Sequence, residues 1–174
     1  FSEIEGHHIF DVEEVGIATK DMSFEEYVDA RVYLFIIDIC FNSEVFKPLQ
    51  RYLVQKNIKI SQWIRNIFQS VDQFPAGLNK IVQSFRSETV GELWDSEEEL
   101  VKYFSTSENY NTLISGERGG NVLFKHRIWM FSEMDEPLVN FIFDYTRDLI
   151  HNQSKSSSKV AVNKELKSLQ RFIS

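Results

Sequence analysis

The fold is decided by residues 23–41, which read SFEEYVDARVYLFIIDICF. Ser23 followed three residues later by Glu26 forms a capping box, in which each side chain accepts a hydrogen bond from the other residue's backbone and so starts a helix. From Val32 onward nearly every position is apolar, whichever side of the helix it occupies. Because a helix that is apolar all round is normally buried, we predict that this first helix is central in the core.

Helical spacing of apolar residues continues along the rest of the chain. Trp63, Ile64, Ile67 and Val71, for example, share one helix face. With only 7 Gly and 3 Pro in 174 residues, a β-sandwich with many turns is disfavoured. We predict a mainly all-α fold, a multi-helix globular bundle of about seven or eight helices with a short extended N-terminal segment.

Single polar residues predict where helices begin and end. Ser43 and Ser61 are predicted to begin the second and third helices, because a serine side chain can accept a hydrogen bond from the first turn. Asn57 suits the left-handed position that ends a helix. Residues 116–121, GERGGN, could cradle a phosphate at the start of the next helix. They lack the Lys-Ser/Thr ending of a P-loop, however, and are interpreted as a turn between helices.

Three segments differ in composition. Residues 1–21 scatter β-branched residues among acids and are predicted to be an extended or β-like lead-in, residues 22–152 form the helical domain, and residues 153–174 combine a Ser/Lys linker with an amphipathic helix. The chain begins at Phe1, inside an acidic stretch and without an initiator Met. We therefore expect a piece of a longer protein, in which the lead-in comes from a missing upstream domain.

Charge is distributed unevenly over a chain of net charge −7. Residues 1–29 hold nine acids and one base, whereas residues 155–174 hold five bases and one acid. Nucleic-acid binding relies on neutralising phosphates, so we expect no nucleic-acid partner. The strongest apolar run, Val32–Ile37, is far shorter than the ~20 residues of a spanning helix, so we expect no membrane partner. One cysteine and no visible secretory signal favour a cytoplasmic location.

Residues able to do chemistry are few: one cysteine, Cys40, and four histidines. Adjacent side chains on a strand point to opposite faces, so His7 and His8 are not expected to share a metal ion. Cys40 is interpreted as a small core residue. We predict no catalytic, cofactor-binding or metal-binding residue, and therefore no enzyme activity of this chain alone.

Two charges interrupt the apolar first helix, Arg31 and Asp38. Buried charges need partners. We interpret them as an internal ion pair or as a bridge to another helix; the alternative is contact with a missing part of the parent protein.

Aromatic side chains offer a second candidate site, an apolar cleft. Its lining would comprise Trp63, Phe68, Trp129 and Phe131. The simpler interpretation is that these aromatic residues pack in the core, as stripes at helical spacing usually do.

Arg147 and His151 lie four positions apart on one helix face. This spacing resembles the Arg…His motif of HEPN-type RNA-cleaving domains, although that family usually has four to six residues between the two and this chain has three. The common interpretation is an exposed charge pair near a helix end.

The last predicted helix carries Val162, Leu166, Leu169 and Ile173 on one narrow seam. This seam could fold back onto the domain or swap to a neighbouring copy. A homodimer through the C-terminal helix is therefore one expected partnership.

The stretch VGIATKDMSFEEY at residues 15–27, followed by Ala30 and Arg31, resembles a known family. It is similar to the segment that leaves the catalytic barrel of radical S-adenosylmethionine enzymes of the cobalamin-binding class. The resemblance covers about residues 9–31. It implies that a three-cysteine motif with its [4Fe–4S] cluster, S-adenosylmethionine and cobalamin belong to missing upstream domains, since a cluster needs several thiolates and this chain has one.

The resemblance implies a non-catalytic C-terminal accessory domain that packs on the barrel and helps to bind substrate. Its partners would be the missing N-terminal domains of the same polypeptide, with no cofactor held by this fragment. One alternative is a stand-alone helical module that binds a protein or a small ligand. Another is an HEPN-like RNase acting through Arg147 and His151.

Overall fold

The computed structural model describes residues 2–4, 7–153 and 159–173. These residues form nine α-helices and one antiparallel two-stranded hairpin, which confirms the mainly all-α bundle and raises the helix number above the predicted seven or eight. The elements in chain order are β1 (Ser2–Ile4), β2 (His7–Ile9), α1 (Phe24–Ile37), α2 (Lys47–Gln55), α3 (Ile60–Gln69), α4 (Ala76–Gly91), α5 (Glu97–Phe104), α6 (Ser107–Ile114), α7 (Val122–Glu133), α8 (Asp135–Gln153) and α9 (Lys159–Ile173).

Helix α1 begins and packs as its sequence predicts. The Ser23 hydroxyl accepts from the Glu26 amide at 3.2 Å, and the Glu26 carboxylate accepts from the Ser23 amide at 2.7 Å. Val32 and Phe35 are fully buried, and the helix packs against α3 and α4. The expected central position of α1 is therefore confirmed.

The end of α1 differs from the prediction. The helix continues as a π-helical turn over Asp38–Asn42, and Ser43 closes this turn by donating its hydroxyl proton to the Ile39 carbonyl at 2.6 Å. Ser43 does not cap α2, which starts at Lys47 with Pro48 in its first turn, where the missing N–H costs nothing. The predicted cap was wrong because a wider turn of α1 occupies the serine first. The predicted start at Ser61 was also wrong, since α3 already begins at Ile60 and has no side-chain cap.

The main core lies among α1, α3, α4, α7 and α8. Helix α4 packs on both α1 and α7, and the Phe35 and Phe85 rings stack with centroids 4.7 Å apart. Asn57 has a φ of 59° at the end of α2, as predicted for a left-handed position. Residues 115–121 connect α6 to α7, and Gly116 and Gly119 take positive φ values there, so this segment is a turn between helices.

A smaller apolar cluster holds the N-terminal hairpin. Tyr110 donates its hydroxyl proton to the Ser2 carbonyl at 2.6 Å, and the His8 ring stacks on the Tyr110 ring at 3.9 Å. Phe10 packs edge-on against Phe104. The predicted lead-in is thus attached to α5 and α6 through this aromatic cluster.

Helix α9 folds back onto the body. Val162 and Leu166 are buried, and Leu169 and Ile173 pack against the main core. All four seam residues pack within one copy of the chain. A dimer through α9 would therefore require this helix to pack on a neighbouring copy instead. Residues 154–158 of the predicted linker lie outside the described residues. Among the described helices, none is both long and apolar enough to cross a membrane.

Candidate functional site

A cleft of about 570 Å³ opens between residues 12–17, α1, the end of α4 and the start of α5. We call it the N-terminal cleft. Its volume lies within the usual range for small-molecule sites. It brings together parts of the chain about 80 residues apart, which no local sequence pattern connects.

The outer wall of the N-terminal cleft is residues 12–17, an extended segment attached at both ends. At its start, the Phe10 ring packs in the small aromatic cluster, 5.7 Å from the Phe104 ring. After its end, the Thr19 amide donates to the Met22 carbonyl at 2.8 Å, in a turn that leads directly into α1. Between these attachments the segment is mostly exposed. It therefore forms a strap across the cleft, with no helix of its own.

The inner wall of the cleft carries two polar groups that lack partners. Thr89, on α4, is 5% exposed, and in the described part of the chain neither its hydroxyl nor the buried Nε of Arg31 on α1 has a hydrogen-bond partner. A threonine hydroxyl in a helix commonly donates to the carbonyl one turn earlier, but the Thr89 hydroxyl does not. Each unpaired buried group is unfavourable by about 1–3 kcal/mol. Both atoms are shielded from solvent, so neither is presented to the open cleft.

The walls around these groups are acidic. Among the described residues that line the cleft, Arg31 is the only lysine or arginine. The described lining also includes the carboxylates of Glu13, Glu14, Glu92, Asp95 and Glu97. Burial raises the pKa of Glu92 above its usual value, and the nearby Glu88 carboxylate raises it further. The cleft therefore favours cations over anions. No group of described residues, these carboxylates included, is arranged to hold a metal ion.

The two predicted charges of the first helix are not partners of each other. Asp38 is 7% exposed and accepts from Arg127 of α7 at 3.3 Å, which is the predicted bridge to another helix. Arg31 lies two turns earlier and lines the N-terminal cleft. The neighbouring Asp29 pairs with Arg86 at 2.6 Å, which joins α1 to α4 beside Arg31.

The four predicted cleft aromatics lie elsewhere. Trp63 is fully buried and donates from Nε1 to the Thr146 hydroxyl at 3.0 Å. Phe68 packs on Tyr33, while Trp129 and Phe131 of α7 are partly buried against the main core. The described lining of the N-terminal cleft includes none of them. The structure favours the core interpretation.

Among the histidines whose side chains are described, His126 has the most polar partners. Its Nδ1 lies 2.8 Å from the Val122 carbonyl, and its Nε2 lies 3.2 Å from the Ser84 hydroxyl and 3.7 Å from the Glu88 carboxylate. The side chain is fully buried beneath Phe35 and Phe85. Because a catalytic base must reach its substrate, this group is a structural one in the observed fold.

None of the remaining candidate residues is among the described residues that line the N-terminal cleft. Arg147 pairs with Asp144 on its own helix, and the buried Nε2 of His151 has no hydrogen-bond partner in the described chain. Cys40 is buried, and burial raises the pKa of its thiol to about 12. A thiol that stays protonated is a poor nucleophile. His8 stacks on Tyr110, and the side chain of His7 lies outside the described residues.

Thr89 and Glu92 are the site residues that sequence reasoning missed. Leu78, Val82 and Phe85 form the inward stripe of α4, and Thr89 continues it one turn later. A polar residue on an otherwise apolar stripe was the available signal. Glu92 follows the helix end and carried no such signal.

No protein-family model, curated protein or solved structure matches the chain.

Proposed function

We propose that the chain is a non-catalytic helical accessory domain of a cobalamin-dependent-type radical S-adenosylmethionine enzyme. The observation that carries the proposal is the position of residues 15–31. The stretch that resembles this family forms the strap and one wall of the N-terminal cleft. An accessory domain placed in this way would cover the catalytic barrel and present the cleft to its substrate.

Exposed acidic surface supports a docking role for the strap. Residues 11–21 are mostly exposed and include Asp11, Glu13, Glu14 and Asp21. The upstream domains would contact this segment, because its exposed carboxylates remain free to pair with basic groups of those domains.

A second feature fits the same role, an apolar patch on α1, the π-helical turn that continues it, and α7. Leu34 and Phe41 lie one turn to either side of Asp38, while Phe124 and Ile128 flank its partner Arg127. All four apolar side chains of this patch are about half exposed. Neighbouring exposed apolar residues often mark protein contact surfaces.

The cofactors of the proposed parent would lie upstream. A [4Fe–4S] cluster needs several thiolates, and the single buried Cys40 supplies none of them. The contribution of this domain would be to exclude water from radical chemistry at the barrel. An iron–sulfur parent would also agree with a reducing cytoplasmic location.

The flanking gene sequence tests the proposal directly. The reading frame upstream of Phe1 is expected to encode a Cys-x3-Cys-x2-Cys motif within a barrel domain. An upstream region without this motif would overturn the proposal.

The apolar patch can be tested in the full-length protein. Ile128→Asp is expected to loosen the contact between domains, which limited proteolysis would detect as faster cleavage between them. Ile114→Asp is the matched control, since Ile114 is 61% exposed on α6, outside the patch. Equal cleavage of the two variants would show that the patch is not a domain contact.

A stand-alone ligand-binding module is the second candidate function. The N-terminal cleft favours it, because its volume of about 570 Å³ and its mixed apolar and acidic lining suit a small ligand. This function needs no upstream domain, so binding by the 174-residue chain alone would support it. The alternative RNase activity through Arg147 and His151 is tested by RNA cleavage with wild type and His151→Ala; equal or absent cleavage would exclude it.

A further inference from the structure

We propose that a small cavity beside the N-terminal cleft binds a trimethylammonium group, the cationic group of choline and of trimethylated lysine. The cavity has a volume of about 140 Å³ and lies among the segment after β2, the end of α4, α5, α6 and the turn that follows α6. We call it the Trp94 cavity. The proposal concerns this cavity alone and does not depend on the identity of the parent enzyme.

Three aromatic rings belong to the lining of the Trp94 cavity, and Phe104 of α5 lies between the other two. Its ring centroid is 5.7 Å from that of Phe10 and 5.9 Å from that of Trp94, with interplanar angles of 67° and 63°. The rings are therefore set at steep angles around one cavity and are not stacked. Aromatic rings grouped in this way form the cages that bind quaternary ammonium groups, because the negative ring faces attract the cation.

The rest of the lining and the size of the cavity suit the methyl groups of such a cation. Leu100 and Leu113 complete the apolar part of the lining. An apolar cavity of ~150 Å³ holds a benzene molecule, so the Trp94 cavity has room for a trimethylammonium group. A quaternary ammonium has no N–H, whereas a primary ammonium would leave its donors unpaired against these apolar walls.

The charge of the lining favours a cation over a neutral molecule of the same shape. Asp11 and Glu92 supply two carboxylates, and Arg118 is the only basic residue among the described lining residues. The Arg118 guanidinium lies 5.3 Å from the centroid of the Tyr103 ring, which is not part of the described lining. This guanidinium is thus already placed on a ring outside the cavity, and the carboxylates outnumber it.

The Trp94 cavity is continuous with the N-terminal cleft, since Glu92, Trp94 and Leu100 line both. The remainder of a ligand can therefore extend into the cleft while its trimethylammonium group lies against the rings. Because the cleft is acidic, a ligand that also carries a carboxylate is disfavoured. Choline and the side chain of trimethyllysine meet this condition, whereas glycine betaine does not.

Calorimetric titration of the 174-residue chain with matched probes tests the class of ligand. The probes are choline, Nε-trimethyllysine blocked at both backbone ends, 3,3-dimethylbutan-1-ol, which has the shape of choline without its charge, and ethanolamine, which lacks the methyl groups. We expect choline or the blocked lysine to bind at millimolar concentration, and more tightly than the alcohol or ethanolamine. The tighter of the two trimethylammonium probes identifies the source of the group, a free small molecule or a modified protein.

Two results of this titration would overturn the proposal. One is the absence of binding by both trimethylammonium probes at millimolar concentration. The other is binding of the neutral alcohol or of ethanolamine as tight as that of the better trimethylammonium probe, because neither the rings nor the carboxylates would then be selecting a methylated cation.

Variants then test the assigned groups with the better probe. Trp94→Leu removes one ring and is expected to weaken binding about tenfold, because tryptophan makes the strongest cation–π contact. Glu92→Gln keeps the side-chain size, removes one charge and is expected to weaken binding about threefold. Glu98→Gln is the control and is expected to bind normally, since Glu98 is an exposed carboxylate of α5 outside the described lining.

Folding of each variant is verified by circular dichroism and thermal unfolding. If Trp94→Leu fails to fold, Glu92→Gln decides. Unchanged affinity in a folded Trp94→Leu or Glu92→Gln protein would overturn the assignment of the group to this cavity.

Discussion

Thr89 occupies a position on α4 where the stripe before it is apolar and where its own hydroxyl has no partner. Replacement by valine keeps the volume and removes a buried polar group. We expect Thr89→Val to raise the free energy of unfolding of the ligand-free chain by about 1 kcal/mol. Urea denaturation followed by circular dichroism measures this change.

Thr146→Val is the matched control for that prediction. The Thr146 hydroxyl accepts from Trp63 Nε1 at 3.0 Å and donates to the Ile142 carbonyl at 2.6 Å. Loss of this hydroxyl leaves the indole N–H unpaired in the core, so the control is expected to lower the unfolding free energy by about 1–3 kcal/mol. Equal destabilisation by both substitutions would mean that Thr89 has a partner in solution.

Glu92 makes the stability of the folded chain depend on pH. Its pKa is raised in the folded protein by burial and by Glu88, so the folded state holds the proton more tightly than the unfolded state does. This carboxylate therefore lowers stability as the pH rises above about 4.3, the ordinary glutamate pKa. Glu92→Gln is expected to raise the melting temperature at pH 7, with the gain shrinking toward pH 4.

Thermal unfolding across this pH range measures the effect of Glu92→Gln. Glu98→Gln serves as the exposed control. A gain that stays constant with pH would contradict an electrostatic cause.

At the scale of single residues, the sequence indicates which residues are unusual but not what each of them contacts. Arg31 and Asp38 both interrupt an apolar helix, and both were predicted to need partners. Asp38 has one on α7, whereas Arg31 has no ion-pair partner among the described residues. The difference depends on which distant elements pack beside each residue, and helical spacing carries no information about that.

Helix α9 shows how an element can be tested for its place in the fold. Leu166 is fully buried in the seam, and Phe172 on the same helix is 79% exposed. Leu166→Ala is expected to lower the unfolding free energy by about 2–5 kcal/mol, because it leaves a cavity. Phe172→Ala is expected to change it by less than about 0.5 kcal/mol. Urea denaturation of both variants at one protein concentration provides the comparison.

The concentration dependence of the same transition tests helix swapping. A midpoint that is independent of protein concentration is expected for a helix folded back within one copy. A midpoint that rises with concentration would indicate the homodimer through α9 instead.

Helix starts were predictable where a capping side chain bonds the backbone of the turn that follows it. Ser23 and Glu26 cap α1 as expected, and Ser96 accepts from the Glu99 amide at the start of α5. Ser43 looked similar in sequence, but the π-helical turn after α1 uses it. A π-helical turn arises from packing and has no comparable local signal.

The whole molecule has two apolar clusters of unequal size, the main core and the small cluster of Phe104, Tyr110 and Leu113. The small cluster holds the hairpin mainly through Tyr110. We expect Tyr110→Phe to speed amide exchange in β1 and β2, because the hydroxyl no longer bonds the Ser2 and Ile9 carbonyls. Exchange in α1 and α4 should stay unchanged.

Hydrogen–deuterium exchange by mass spectrometry resolves these regions in Tyr110→Phe. Tyr145→Phe is the control, since Tyr145 belongs to the main core on α8. Faster exchange in α4 as well would show that the two clusters unfold as one unit. Unchanged or slower exchange in β1 and β2 would contradict the role given to the Tyr110 hydroxyl.

At the scale of the chain, the helical class was predictable from periodicity, and the central first helix from its nearly unbroken apolar composition after Val32. The N-terminal cleft was not, because it forms where the extended strap crosses between α1 and the end of α4. Extended segments leave a weak pattern. Which helices such a segment crosses depends on tertiary packing.

The strap also has a mechanical consequence. It is pinned at Phe10 by an aromatic cluster and again at the Thr19–Met22 turn, just before the buried part of α1. A pulling force applied at Ser2 would act first on the contacts of Tyr110 with the hairpin, then on the strap, and last on the main core. Displacing the hairpin would therefore widen the mouth of the cleft while the helices stay in register.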